Sequence, residues 1–472
     1  MTHTPTRAGR PEANTPPGPG TRPGRNRRGP WRETSDRVRG AAGTEPGRLR
    51  IIGAVLAVLV VAFGAVTAWQ VTDRSDAAGN VLHHSGPLSS DAAEIYRSLA
   101  DADATVTGGF LVGGEEPAKV TDRYETDIKR AARLITEAAA SSRGAAADTT
   151  ALSHLSEQLP YYTRLVATAQ ADNRLGFPLG GAYLRYANQQ MRQKGGLLDS
   201  ADTLYRAETR RLDHDYARAK ALPWGAWVLG VLALAVLAWA QRRHYRRTNR
   251  VFNQGMLAAT AAASVVLVWL LTAHMVARGD LGDSYAHGAK SMRVLNNARI
   301  AVLQARGDEN LTLVARGSGD SYDASFVKGM QTLAGTDPKG VGGEMAQALA
   351  LADTDAGRAP VKDAIKGVQT WRARHADERR SDNGGDYTTA VAHVIGGKDA
   401  AGDTVTETTG QCFDKVDQDL EKAVAQEQSE FTSAARSGHG ALSLLAFGAG
   451  LLAVLAAAGA VLGIGRRLSE YR

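Results

Sequence analysis

One cysteine in 472 residues, Cys412, leaves no partner for an intrachain disulfide, so any folded part outside a membrane must hold together by packing alone. Cys412 itself is expected as a small buried hydrophobe. Asp, Glu, Lys and Arg are absent from four long apolar runs, 51–69, 222–240, 256–277 and 441–465. Charges inside a membrane mark ion and proton pathways, so their absence argues against a pump or secondary transporter. His274 is the only titratable side chain in those runs, and its place near one end of a run suggests an interfacial position. Catalytic signatures are missing too: there is no Gly-rich phosphate loop followed by Lys-Ser/Thr, no kinase set, no HExxH, no GxSxG and no CxxC. The Gly-rich "RGSGDS" at 316–321 has no strand before it and no lysine after it, and reads as a helix-to-helix loop. The expectation is a chain with no enzymatic activity, no cofactor and no metal. Strand-type alternation of valine and isoleucine is also absent.

What is present is helix. The four runs are 19, 19, 22 and 25 residues long, the length needed to cross about 30 Å of hydrocarbon. They predict an all-α membrane protein with four transmembrane helices at 51–69, 222–240, 256–277 and 441–465. Val66-Thr67-Ala68 could serve as a signal cleavage site, but the first run is longer than a signal peptide's apolar region and follows 50 residues, so it reads as an anchor. Arginine sets the orientation. The tail 1–50 carries +7, the loop 241–255 +5 and the end 466–472 +2, so the rest of a +7 chain carries −7. Short Lys/Arg-rich segments stay in the cytoplasm, which puts both termini and the loop inside a plasma membrane and segments 70–221 and 278–440 outside. The basic segments should also attract anionic membrane lipids. Nucleic-acid binding is not expected, because the positive charge hugs the membrane and no reading domain accompanies it.

The tail 1–50 holds 8 of the 15 prolines, has little to bury and is expected to be disordered. Both outer segments read as helical bundles in tandem. Val120, Tyr124, Ile128, Ala131, Ile135 and Ala138 draw one apolar stripe, and Phe413, Val416, Leu420, Val424, Phe431 and Ala434 draw another, with Glu427 interrupting it. This second helix continues into the last span. Helices are expected near 88–111, 117–142, 148–194 (interrupted) and 196–221, which gives a four-helix arrangement with both ends at the membrane. The second half repeats the first: residues 51–240 and 256–465 share the order span, outer segment, span, arginines. "LDSADTLYRAE" (198–208) resembles "FDKVDQDLEKA" (413–423), with Asp199 and Asp202 opposite Asp414 and Asp417, and Tyr216 opposite Phe431.

Few residues suggest a site. His83 and His84, with Asp91, have metal-ligand chemistry, but a solvated loop is the better reading. Asp414, Asp417 and Glu421 share a helical face and read as a charged outer surface. The segment "DNRLGFPLGGAYLR" (172–185) breaks a helix that both flanks favour, through Gly176, Pro178, Gly180 and Gly181. Its aromatics make it a candidate contact surface through Asn173, Phe177, Pro178 and Tyr183. On the inner side, Arg242, Arg243, Arg246, Arg247 and Arg250 are the candidate cytoplasmic contacts.

"SLADADATVTGGFLVGGEEPAKVTDRYETDIKRAARLI" (98–135), "LPYYTRLVATAQADNRLGFPLGGAYLR" (159–185) and the duplicated four-span layout resemble the actinobacterial GlnX-type membrane proteins. The outer bundles are similar to the four-helix sensor domains of chemoreceptors. The resemblance implies a relay: an extracytoplasmic amino-acid-binding lipoprotein is sensed outside, and a cytoplasmic Ser/Thr protein kinase receives the signal inside. It carries over no catalytic residues. A homodimer is a further partner state to test. Two other readings stand beside the relay: a sensor that binds a small ligand directly in one bundle, and a structural or envelope protein.

Overall fold

The computed structural model describes residues 45–114, 116–141, 146–248, 254–337 and 341–469. The tail 1–44 and Arg250 lie outside the described residues, as does the expected disorder of that tail. The chain is nearly all helix. The first half runs α1 (Glu45–Asn80), a π-helical turn (Val81–Ser85), α2 (Gly86–Val112), α3 (Ala118–Ser141), α4 (Ala146–Arg174), α5 (Leu179–Arg192), α6 (Leu197–Ala219) and α7 (Trp224–Thr248). The second runs α8 (Gln254–Asp283), a π-helical turn (Ser284–Ala289), α9 (Lys290–Val314), α10 (Asp320–Ala334), α11 (Gly343–Leu351), α12 (Asp355–Asn383), α13 (Tyr387–Ile395) and α14 (Thr409–Ser469). A two-residue antiparallel pairing, β1 (Gly397–Lys398) with β2 (Thr404–Val405), sits between α13 and α14. The sequence reading missed it, because a pair this short has no room for alternation.

Three helical stretches, containing the first three apolar runs, are long and apolar enough to cross a membrane. The fourth run lies within α14, whose backbone is helical throughout. The first half meets the second span at a break: Pro223 removes a backbone donor and ends the helical path between α6 and α7. Arg74 ties this break to α1, donating to the carbonyls of Ala221 (2.6 Å) and Leu222 (3.0 Å). Apolar side chains such as Val58, Val228, Val268 and Leu444 are exposed along the apolar runs, and Trp69, Trp224 and Trp239 are exposed near the ends of those runs. His274, expected near one end of its run, is buried among its neighbours.

In each half four helical columns rise and fall. The expected first-bundle boundaries match α2, α3, α4 with α5, and α6 within a few residues, and Tyr124, Ile135, Leu204 and Tyr205 are buried with Ile128 packed against them. The segments 70–221 and 278–440 do not bury separate cores. One contiguous cluster takes in Leu99, Tyr162 and Leu204 from the first and Val302, Trp371 and Leu420 from the second. The seam is α2 against α9, which run in the same direction side by side. Gln304 donates to the Tyr96 hydroxyl (2.7 Å), and the Asn310 amide to the Ala104 carbonyl (3.0 Å).

Charge is buried in this seam. Asp103 is 1% exposed; it accepts from Asn188 (2.8 Å) and Arg192 (3.0 Å), and Arg192 also bonds Asp308 of the other half at 2.6 Å. Removing one partner of a buried ion pair leaves an uncompensated charge. Arg192→Ala is therefore expected to lower stability by about 3–5 kcal/mol, read as the shift in a chemical denaturation curve. A loss below about 1 kcal/mol would mean that solvent reaches Asp103.

Candidate functional site

Three places combine unusual chemistry with a position that could matter: a cleft at the far end of the seam, an apolar tip on the first half, and an aromatic junction at the base.

The cleft lies where the upper ends of α2 and α9 meet the starts of α3 and α14, and it has a volume of about 300 Å³. Gly108 and Gly410 form bare parts of its wall, where an added Cβ would stand 3.1 Å from the Asn310 amide nitrogen and 2.9 Å from Arg306. Arg306 is fully engaged, with Glu309 at 2.6 Å and the Thr409 hydroxyl at 3.1 Å. Arg123 reaches across the halves, bonding Asp101 (2.9 Å) on its own side and Asp414 (3.0 Å) on α14. The expected charged face of α14 is thus paired: Asp414 with Arg123, and Asp417 with Arg299 at 3.0 Å. Close by, burial and the neighbouring Asp101 push the Asp127 carboxyl up from its usual range. Cys412 is buried and free, as expected.

The tip is the turn between α4 and α5. Gly176 adopts a φ of +72°, a conformation that disfavours a side chain, and the turn closes through Phe177 N–H to Asp172 O at 2.8 Å. The break is narrower than expected. Gly180 and Gly181 belong to α5, and an added Cβ at Gly180 would stand 2.9 Å from the Ala169 carbonyl, so this glycine lets α5 close on α4. The four expected contact residues separate. Phe177 is 55% exposed and Pro178 is exposed, with Leu175 (67%) and Leu179 (57%) alongside. Asn173 instead directs its amide to the Phe110 carbonyl (3.4 Å), and Tyr183 packs against the core. Leu175 and Leu179 were missed; they flank the break by sequence and could have been read with it.

At the base, Tyr216 of α6 and Phe431 of α14 pack edge to face with ring centroids 6.5 Å apart, so the two residues matched by the sequence repeat meet. The Tyr216 hydroxyl pairs with the Ser284 hydroxyl (2.6 Å), which donates to the Phe431 carbonyl (3.0 Å). Gly86 and Gly288 stand on either side of Phe431; an added Cβ would lie 2.8 Å and 2.7 Å from it. His83 and His84 are exposed, on a π-helical turn and not in a loop.

Of the arginines expected on the inner side, Arg242 and Arg246 are exposed on α7, and Arg243 lies 5.5 Å over the Trp239 ring. The Arg247 side chain and Arg250 fall outside the described residues.

Two buried acids escaped the sequence reading. Glu427, taken as an interruption of the α14 stripe, is buried on it, and burial pushes its carboxyl up to about 7. On α12, Glu378 is fully buried and accepts no hydrogen bond; burial pushes it up to about 8. Beside it, burial opposes charge on His375, but bonds to Asp323 (3.0 Å) and Glu309 (3.1 Å) outweigh it and raise the imidazole to about 9. An i, i+3 spacing of His and Glu on a helix gave no warning, because it is common on solvated faces.

Residues 77–217 match the family model of the actinobacterial sensor domain. The match runs from the end of α1 through α6 and supports an actinobacterial sensor protein with a sensing or signalling role. Neither a curated protein nor a solved structure matches the chain.

Glu378 and His375 give a pH dependence of one sign. A raised carboxyl keeps its proton in the fold, so the contribution of Glu378 is full below its ordinary 4.5 and is lost as pH rises toward about 8. The contribution of His375 is full below 6.5 and is lost as pH rises through about 9. Glu378→Gln, which stays neutral, should flatten the fall in melting temperature between about pH 5 and pH 8. An equal or steeper fall in the variant would show that Glu378 is ionised in the fold throughout.

Proposed function

We propose that this protein is a non-enzymatic signal relay of the plasma membrane. An extracytoplasmic amino-acid-binding lipoprotein docks outside, and a cytoplasmic Ser/Thr protein kinase receives the state inside. The observation that carries the relay is continuity: α1 runs through its π-helical turn into α2, α8 into α9, and α14 is a single 61-residue helix from the cleft through the fourth apolar run. A displacement at the far end of such a helix reaches the membrane without crossing a loop. The sensor-domain match over 77–217 supports an outward input, and the acidic outer and basic inner segments support its direction.

The docking surface we assign to the lipoprotein is the tip, with Phe177 at its centre and Pro178, Leu175 and Leu179 around it. A sensing domain has little reason to leave three large apolar side chains in water at one exposed turn unless they are covered in a complex. Inside, Arg242, Arg243, Arg246, Arg247 and Arg250 would meet anionic lipid headgroups and the kinase. The short inner segments carry no catalytic set, which supports handing the signal to a separate enzyme.

Two measurements test this. Phe177→Ala with Leu175→Ala should weaken lipoprotein capture by about 30-fold or more, while the melt stays normal because both side chains are exposed. Undiminished capture would remove the tip as the docking surface. Cysteines introduced near Ser142 and Gly397 should label on intact cells and one at Asn249 should not, with little background because Cys412 is buried. Labelling at Asn249 from outside would overturn the orientation.

A further inference from the structure

The cleft at the top of the seam holds an unfinished set of polar groups. Asn310 is fully buried and lines the cleft, and its amide nitrogen donates to the Ala104 carbonyl at 3.0 Å. That bond orients the amide, and the carbonyl oxygen Oδ1 is left buried with no hydrogen-bond partner. A buried acceptor without a donor is costly, and it is satisfied by a group that arrives with an N–H. Lys119, exposed at the cleft's edge, has no ion-pair partner among the described residues. Between them stands the Arg123–Asp414 pair, whose aspartate side chain is 56% exposed. An exposed pair of this kind contributes little stability and opens readily. Arg123 keeps Asp101 when it does.

We propose that this cleft binds a small zwitterion directly, with its carboxylate on Lys119 and Arg123 and its ammonium on Asp414 and Asn310 Oδ1. A zwitterion inserted into the Arg123–Asp414 pair gives each member a new partner of the sign it lost and adds no net charge, which neither a simple anion nor a simple cation achieves. A volume of about 300 Å³ is at the small end for ligand pockets and suits a molecule of amino-acid size. The placement also gives the ligand leverage. Arg123 belongs to the first half, whereas Asp414 is near the start of α14, so an occupant changes the contact between the first half and a helix that enters the membrane. This input needs no partner protein, and its test is separate from that of the relay.

The experiment uses the full chain in lipid nanodiscs with no lipoprotein present. Each free α-amino acid is offered, followed by the methyl ester and the deaminated acid of any that binds. At least one free amino acid should raise the melting temperature and bind by calorimetry, and removing either its carboxylate or its ammonium should weaken binding by about tenfold or more. Lys119→Gln and Asp414→Asn alter exposed side chains, so both should melt normally when unliganded and bind about tenfold more weakly. No binding at millimolar concentration would overturn the proposal. So would binding that the ester matches, or binding that neither variant weakens.

Discussion

A carboxylate enclosed by protein needs a cation, and for Asp103 and Asp308 the same guanidinium serves both. Arg192 is delivered by α5, on the first half, and its planar fork can bond two acids at once in a way that a lysine could not. Two apolar helices lying side by side can slide past one another at small cost, whereas α2 and α9 cannot shift by a turn without stranding an aspartate. Asn188 and Tyr162 take up further lone pairs of Asp103, at 2.8 Å and 3.5 Å, and thereby hold the acid where Arg192 finds it. The joint core of the outer region, the cleft above it and the junction below it all rest on that register.

The two halves end differently, although their sequences run in the same order. Each begins with a long helix whose apolar run is joined to the bundle through a π-helical turn. They end in contrast: the first half breaks at Leu222-Pro223 and is strapped to α1 by Arg74, and the second runs straight down α14. Tyr216 and Phe431, which the sequence comparison places opposite one another, make an aromatic contact between α6 and α14. Lys220 lies over the Tyr216 and Tyr285 rings at 5.5 Å and 4.5 Å, and adds a charge at the level where the apolar spans begin.

Much of this was legible in the sequence because it rests on period. The stripe through Tyr124, Ala131, Ile135 and Ala138 marks the buried face of α3, and the second stripe does so for α14, where even its apparent defect, Glu427, proved to be buried on the same face. The exposed break around Phe177 was visible from its glycines and proline. What sequence alone could not supply was partnership. Nothing in the spacing of Asp103, Arg192 and Asp308, or of Arg123 and Asp414, says that they meet, since such contacts join residues 89 to 291 positions apart. The same limit hid the merged core, for an amphipathic stripe declares that a face is buried but not by whom. Asn173 and Tyr183 show a related limit: composition located the right segment without telling which of its side chains turn inward.

The paired π-helical turns at Val81–Ser85 and Ser284–Ala289 set the phase of each long helix. A π turn accommodates one residue more than the α ladder around it, and one residue corresponds to about 100° of winding. The stripe that α1 presents to its membrane neighbours and the stripe that α2 presents to the seam are therefore offset from what a straight helix would give, and the same holds for α8 and α9. Both turns lie at the level of Phe431, against which Gly86 and Gly288 pack. Lengthening or shortening one of the two turns by a residue would therefore rotate one apolar run against the bundle while the other stayed in place.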